Sequence, residues 1–254
     1  DGDRPVRDGN LRTHKFIHDP HHHHHMPFHV QDDSTCKCEN PFVRPKVFAK
    51  EETARWMLSS LTWGILSTVS SRVGTTADGR LVDKTKTSEK LDPAPFGNIF
   101  SIADAPCGET SSNIYIYGTF MDQSFKDWSV NSNDAVSLTL SDANLDANCL
   151  AGSDSSLLKT CSSNPMNPPC ARAVFTGKMQ LLEDESGIQA ARDALFSKHP
   201  DMKNWPKDHG FVAAKLDVQD IWFIDFYGGA SILDIEKFQK AELTKKSPSD
   251  TDES

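Results

Sequence analysis

Phe211-Val-Ala-Ala-Lys-Leu-Asp-Val218, then Gln219-Asp220, then Ile221-Trp-Phe-Ile-Asp-Phe-Tyr227 is the stretch on which the fold reading turns. Aliphatic and aromatic side chains fill both halves and a polar pair divides them, which predicts two long strands in succession. Upstream, Ala171 to Leu182 reads as another strand, with Gly177 marking a bulge or a close approach of backbone. Ala135 to Ser141 alternates Val136, Leu138 and Leu140 against Ser137 and Thr139. Asn113 to Gly118 sets Ile114 and Ile116 against Tyr115 and Tyr117, and Phe96 to Ile102 makes one more strand. Trp63 to Ser70 places Trp63, Ile65, Ser67 and Val69 on one face.

Two segments carry helical spacing instead. Over Val47 to Ser60, Ala54, Met57 and Leu58 lead to Leu61 in one stripe, with Glu51 and Glu52 near the positive end. Over Gly187 to His199, Ile188, Ala191, Leu195 and Phe196 form a second stripe that Pro200 helps to stop. About seven strands with two or three helices, and no repeating βαβ unit, predict a mainly β fold with some α. The architecture expected is an antiparallel barrel with peripheral helices, not a parallel dinucleotide-binding sheet.

The 254 residues are 37% hydrophobic and 25% charged, a composition that supports a packed core. A net charge of −9 argues against nucleic acid or anionic lipid as a partner. No run approaches the ~18 apolar residues of a transmembrane segment. The barrel is expected over residues 47–243, preceded by a His-rich, Cys-containing arm (1–46) and followed by an acidic polar tail (244–254). Only seven apolar residues lie in positions 1–35, too few to repay ordering by burial alone. Residues 71–95 read as a long loop, and 142–169, rich in Ser, Asn, Asp and Pro, as a long stapled one.

A sequence that opens at Asp1 without a charged-then-apolar leader reads as a mature chain whose signal peptide has been removed, although an arbitrary boundary would look the same. Six cysteines form an even set: Cys36, Cys38, Cys107, Cys149, Cys161 and Cys170. Their spacing lacks the paired halves of a zinc site, so disulfides are expected, with Cys36 and Cys38 tying the arm to the body. Disulfides place the chain outside the cell or in an endomembrane or lysosomal lumen. N-x-Ser/Thr acceptors are absent.

Catalytic signatures are missing as well: there is no nucleotide-binding glycine loop, no nucleophile elbow and no H-E-x-x-H. Outside the arm only His199 and His209 remain. His199 reads as a helix-end cap, and Asp225, inside an apolar run, as a partner-bonded structural carboxylate. Lys84, Lys86, Lys90 and Arg80 read as a solvated cluster. Eight of ten histidines lie in the first 29 residues. His21, His22, His23, His24 and His25, with His14, His18 and His29, are candidate ligands for zinc, nickel or copper.

Several motifs in one order point to a family. Ala54-Arg-Trp-Met-Leu58 with Trp63-Gly-Ile-Leu-Ser-Thr68 resembles the opening helix and strand of the CREG proteins, the secreted cellular-repressor glycoproteins. His199-Pro-Asp-Met-Lys-Asn-Trp-Pro206, Phe211 to Leu216, Ile221-Trp and Asp225-Phe-Tyr-Gly-Gly229 continue the resemblance, which covers about residues 47–238. It implies a split β-barrel, pyridoxamine-phosphate-oxidase-like, assembled as a homodimer. In the related flavin enzymes, flavin mononucleotide lies at the dimer interface with its phosphate held by Arg and Lys. CREG-like members are thought to keep the scaffold without the flavin.

In this chain the glycine pair is followed by Ala230-Ser-Ile-Leu233, and Phe96 to Ile102 carries no Arg or Lys. A buried phosphate needs a cation, so no cofactor is expected. Flavin mononucleotide is the alternative, with Lys126 and Phe226 as its contacts. The function expected is non-enzymatic, through a protein partner bound by the barrel or the arm. The alternatives are a flavin or haem oxidoreductase on the same barrel, and metal binding by the arm. The resemblance also implies a disulfide between Cys149 and Cys170.

Overall fold

Alternating side chains bury one face of each strand while the backbone pairs on both edges, and that pairing organises the chain. The computed structural model describes residues 40–70, 93–130, 135–146 and 155–246. Seven strands share one sheet: β1 (Trp63–Ser70), β2 (Ala94–Ala103), β3 (Tyr115–Gly118), β4 (Ala135–Ser141), β5 (Arg172–Leu181), β6 (Val212–Ile224) and β7 (Ser231–Ile232). All pairings are antiparallel, in the order β3-β2-β1-β4-β5-β6-β7. A further β3–β6 pairing, Tyr115 opposite Lys215 through Gly118 opposite Val212, closes six strands into a barrel. Closure hides the backbone edges that an open sheet would expose. Leu66, Ile102, Ile116, Leu138, Phe175, Leu216 and Phe223 are buried in its core. The face of β1 shared by Ile65 and Val69 turns outward.

Where two strands are expected at the C-terminal end, there is one of 13 residues. Thr176 pairs with Asp220 and Gly177 with Val218, so Gln219 is an extra residue on β6. The polar pair therefore bends the strand instead of ending it, as a β-bulge does. Gly177 is the close approach expected: a Cβ there would lie 1.9 Å from the Asp217 carbonyl oxygen.

Among the described residues five α-helices surround the barrel: α1 (Lys50–Ser60), α2 (Gln123–Val130), α3 (Ser155–Ser163), α4 (Glu185–Lys198) and α5 (Ile235–Lys240). Of these, α1 and α4 are the expected pair. In α2 only Phe125 and Trp128 are buried apolar residues, a stripe too short to read as helix without its neighbours. Gly118 makes room for it, since a Cβ there would fall 2.2 Å from the Phe125 ring. Helix α3 interrupts the segment expected to be loop. The chain then turns through Asn164, Asn167 and Cys170, each amide bonding a carbonyl three or four residues back. These turns return Cys170 to Cys161, and the two form a disulfide with Cα atoms 5.4 Å apart. The implied Cys149–Cys170 pairing is thus replaced by Cys161–Cys170. Cys107 is also disulfide-bonded. Cys36, Cys38 and Cys149, the histidines of the arm and the basic cluster at 80–90 lie outside the described residues.

Helix α4 lies on β2, β3 and β6 through small side chains, Ala191 and Ala194 against Ala103 and Ala213. At its end the buried Lys198 Nζ donates to Asp104 Oδ1 at 2.7 Å and to the Ser59 carbonyl at 2.9 Å. Removing either charged partner would strand the other at a cost of about 3–5 kcal/mol. His199 Nε2 donates to the Ile102 carbonyl at 3.0 Å, and burial pushes its pKa below the ordinary value. On the far side, Phe42 is buried, and Val43 and Pro41 pair with Thr244 and Lys246. Arg44 meets the buried Asp142 at 2.9 Å.

Gly177→Ala should destabilise the protein by about 1–3 kcal/mol in urea unfolding, since the methyl displaces backbone. The lowered pKa of His199 means that the unfolded chain takes up a proton which the folded chain refuses. Stability from this residue is intact above about pH 6.5 and falls below it. His199→Gln keeps a donor for the Ile102 carbonyl but cannot titrate. Its melting temperature should fall less than that of the wild type between about pH 7.5 and 5.5.

Candidate functional site

The barrel closure brings together two connections that are distant in sequence. One is the turn from β3 into α2, residues 119–122. The other joins α4 to β6 through a 3-10 turn (Pro200–Asn204), Trp205-Pro206, a second 3-10 turn (Lys207–His209) and Gly210. Gly210 has φ 62°, a left-handed conformation that suits glycine and turns the chain into β6. The Thr119 hydroxyl donates to the His209 carbonyl and ties the two connections together.

Between them stands a wall of aromatic rings. Tyr117 stacks on Phe211 with centroids 5.4 Å apart and planes at 17°, and on Trp205 at 6.1 Å. Trp205 and Phe211 are 4.8 Å apart. Phe196 of α4 meets Tyr117 edge-on at 5.4 Å. These offset and edge-on geometries stabilise aromatic pairs beyond their buried area.

The wall separates two hollows. The first, of about 400 Å³, is bounded by Ile99, Ser101 and Thr119, and Asp122 is its only charged lining residue among the described residues. The second, of about 380 Å³, lies on the α4 side and has Arg192, Lys203 and Lys207 on its lining. The two differ in sign.

Asp122 stands at the N-terminal end of α2. Its Oδ1 accepts the Ser124 amide at 2.7 Å and its Oδ2 accepts the Asn98 side-chain amide at 3.0 Å. A helix N-terminus attracts anions through free N–H groups and the helix dipole. Here the chain's own carboxylate takes that place. One turn on, the buried Asp127 accepts from Gln123 at 2.6 Å and from Ser70 at 2.9 Å. Asp122 thus fills the start of α2, and Asp127 adds a second carboxylate midway along it.

The two residues proposed for a flavin lie on separate parts of the fold. Lys126 is half-buried on α2 and lines neither hollow. Phe226 packs against Phe48 at 5.5 Å, in the turn after β6. His21 to His25 lie outside the described residues, and among the described ones no group of three metal-ligating side chains gathers. Asp225 is buried as expected, but its Oδ2 lacks the expected hydrogen-bond partner among the described residues.

The wall and Asp122 escaped the reading of the sequence, although each leaves a trace in it. Tyr117 sits at the end of an alternating strand, Trp205 precedes Pro206, and Asp122 occupies a residue type favoured at helix N-caps. What chain order does not reveal is that β3 and the 205–211 segment are neighbours.

Chemically, the site offers stacking surfaces and charge but no nucleophile with a base. Among the described residues neither His199 nor His209 hydrogen-bonds a serine hydroxyl; His209 lies 6.1 Å from the Phe211 ring.

Residues 45–240 match the family model described as "CREG, beta-barrel". Protein CREG1 of Gallus gallus is 34% identical over 187 residues, which cover 73% of this chain and 82% of that protein. Protein CREG2 of Mus musculus is 29% identical over 201 residues, 79% of this chain but only 59% of the relative's length. Among solved structures, a haem-binding protein from Mycobacterium smegmatis aligns over 79% of this chain and 62% of its own, with 16% identity and a TM-score of 0.49. A Listeria innocua protein assigned provisionally as a pyridoxamine 5′-phosphate oxidase aligns over 67% of this chain and 94% of its own, with 15% identity and a TM-score of 0.37. On the family model, the chicken relative and the closed six-stranded antiparallel barrel with flanking helices, this chain belongs to the CREG family.

Proposed function

We propose that this CREG-family chain is a non-enzymatic protein of an oxidising compartment, acting as a homodimer that binds another protein. The observation that carries the non-enzymatic reading is Asp122. Its carboxylate bonds the α2 N-terminus, where an anionic cofactor group would otherwise be drawn, and Asn98 holds it there. A phosphate brought into that hollow would face a fixed negative charge with no cation on the lining among the described residues, an unfavourable desolvation. The Cys161–Cys170 bridge and the bonded state of Cys107 support secretion or a lumenal residence.

Dimerisation finds support on the outer face of β1 and β2. Ile65 and Ile99 are register partners and remain 41% and 64% exposed, with Val69 (50%) opposite Pro95 farther along. Ser67 and Gly97 separate the two pairs, and exposed aliphatic side chains on a sheet face are the kind of surface that a second copy covers.

Protein purified from its natural source should show no flavin or haem absorption in the visible range, and added flavin mononucleotide should leave the spectrum unchanged. Tightly retained flavin would overturn the non-enzymatic reading. Asp122→Ala should cost about 0.5–2 kcal/mol in denaturant unfolding, the range of a lost helix N-cap. Ile99→Asp should shift sedimentation from dimer to monomer; an unchanged coefficient would rule out this face as the interface.

A further inference from the structure

The second hollow points to a ligand of its own. Its inner side is the aromatic wall, where Tyr117 and Phe211 lie nearly parallel and Trp205 is 38% exposed. Stacked faces of this kind accept a flat apolar body. Its remaining lining comes from α4 and the two 3-10 turns, which contribute Arg192, Lys203 and Lys207. Among the described residues no acidic one lines it. Among the described residues none of the three cations has an ion-pair partner within 4.0 Å. The nearby Asp193, in an adjoining hollow with Arg192 and Lys203, accepts a hydrogen bond from Gln189.

That concentration runs against the composition of the chain, in which 36 acidic residues outnumber 27 basic ones. Three neighbouring cations left without counter-charges repel one another, an arrangement that an anion relieves. An arginine fork matches a carboxylate or phosphate in two-point geometry, and the lysines add point charges. The volume of about 380 Å³ falls at the lower end of the range for small-molecule sites. Bare aromatic faces would favour a cation, and the basic lining reverses that preference. A ligand suited to both parts is flat and apolar at one end and anionic at the other.

We propose that the hollow between the Tyr117–Trp205–Phe211 wall and the Arg192–Lys203–Lys207 lining binds a small planar organic anion, an aromatic ring system bearing a carboxylate or phosphate. The site lies across the wall from Asp122 and shares with the other hollow Tyr117, Trp205, Pro206 and Phe211, so the cations Arg192, Lys203 and Lys207 are what set it apart.

The test titrates the full-length protein calorimetrically with three probes: 1-naphthoate, 1-naphthyl phosphate and the neutral 1-naphthalenemethanol. At least one anion should saturate a single class of site, and the neutral alcohol should bind about tenfold or more weakly than that anion. A preference for the naphthoate assigns a carboxylate ligand, and a preference for the phosphate ester a phosphorylated one. The triple variant Arg192→Gln/Lys203→Gln/Lys207→Gln should lose about tenfold or more in affinity for the anion, and Trp205→Ala should weaken all three probes. Circular dichroism identifies any variant that fails to fold. Lys240→Gln, which removes an exposed cation on α5, should bind as the wild type does. The proposal is overturned if neither anion saturates at millimolar concentration or if the alcohol binds as tightly. It is equally overturned if the folded triple variant keeps wild-type affinity, or if Lys240→Gln weakens binding as much as the triple variant does.

Discussion

The pairing of β3 with β6 is the contact on which the other features depend. It turns a six-stranded sheet into a barrel and sets Tyr117 opposite Ala213, two residues from Phe211. Strand β6 is bonded to β5 along one edge, while β3 takes the start of the other edge and β7 its end. A straight strand could not curve round the barrel while keeping those partners. The bulge at Gln219, opposite the glycine at 177, supplies the bend. Without closure, Tyr117 and the segment from Trp205 to Phe211 would have no common wall.

Electrostatics divides the two sides of that wall. On the α2 side, Asp122 and Asp127 are held by neutral donors, among them Asn98, Gln123 and Ser70. A helix N-terminus that would draw an anion is thereby filled from within. On the α4 side the charged groups that line the hollow are, among the described residues, all basic. The buried Lys198–Asp104 pair keeps α4 anchored to β2 and to the end of α1, and His199 adds a bond to the Ile102 carbonyl. These contacts fix the helix that carries Arg192 and Phe196, so the rigid core sets the geometry of an exposed hollow.

Much of the barrel was legible because strand alternation is a local property. β1 and β4 fall on the expected residues, and Gly177 is the close approach that its place in a strand implied. Helix α2 was not legible, since Phe125 and Trp128 gain their meaning only from the cavity that Gly118 and β1 provide. The cysteine pairing failed for a similar reason. Cysteine spacing leaves many connectivities open, and the one adopted depends on α3 and the turns after it, which return Cys170 to Cys161. Lys126 lies on α2 and Phe226 in the turn after β6, and no local pattern states which loops share a barrel end.

By itself the sequence determined the β class, most strand positions, the two amphipathic helices and the family motifs, all of which rest on side-chain periodicity or on residues close in the chain. Only the tertiary structure decided that β3 closes on β6, that Cys161 takes Cys170, that Asn98 holds Asp122 at the start of α2 and that three cations without an ion-pair partner among the described residues line one aromatic hollow. Each of these joins residues or elements whose proximity depends on how the chain folds back on itself. Such contacts are selected by packing and charge in the assembled barrel, which no run of neighbouring residues encodes alone.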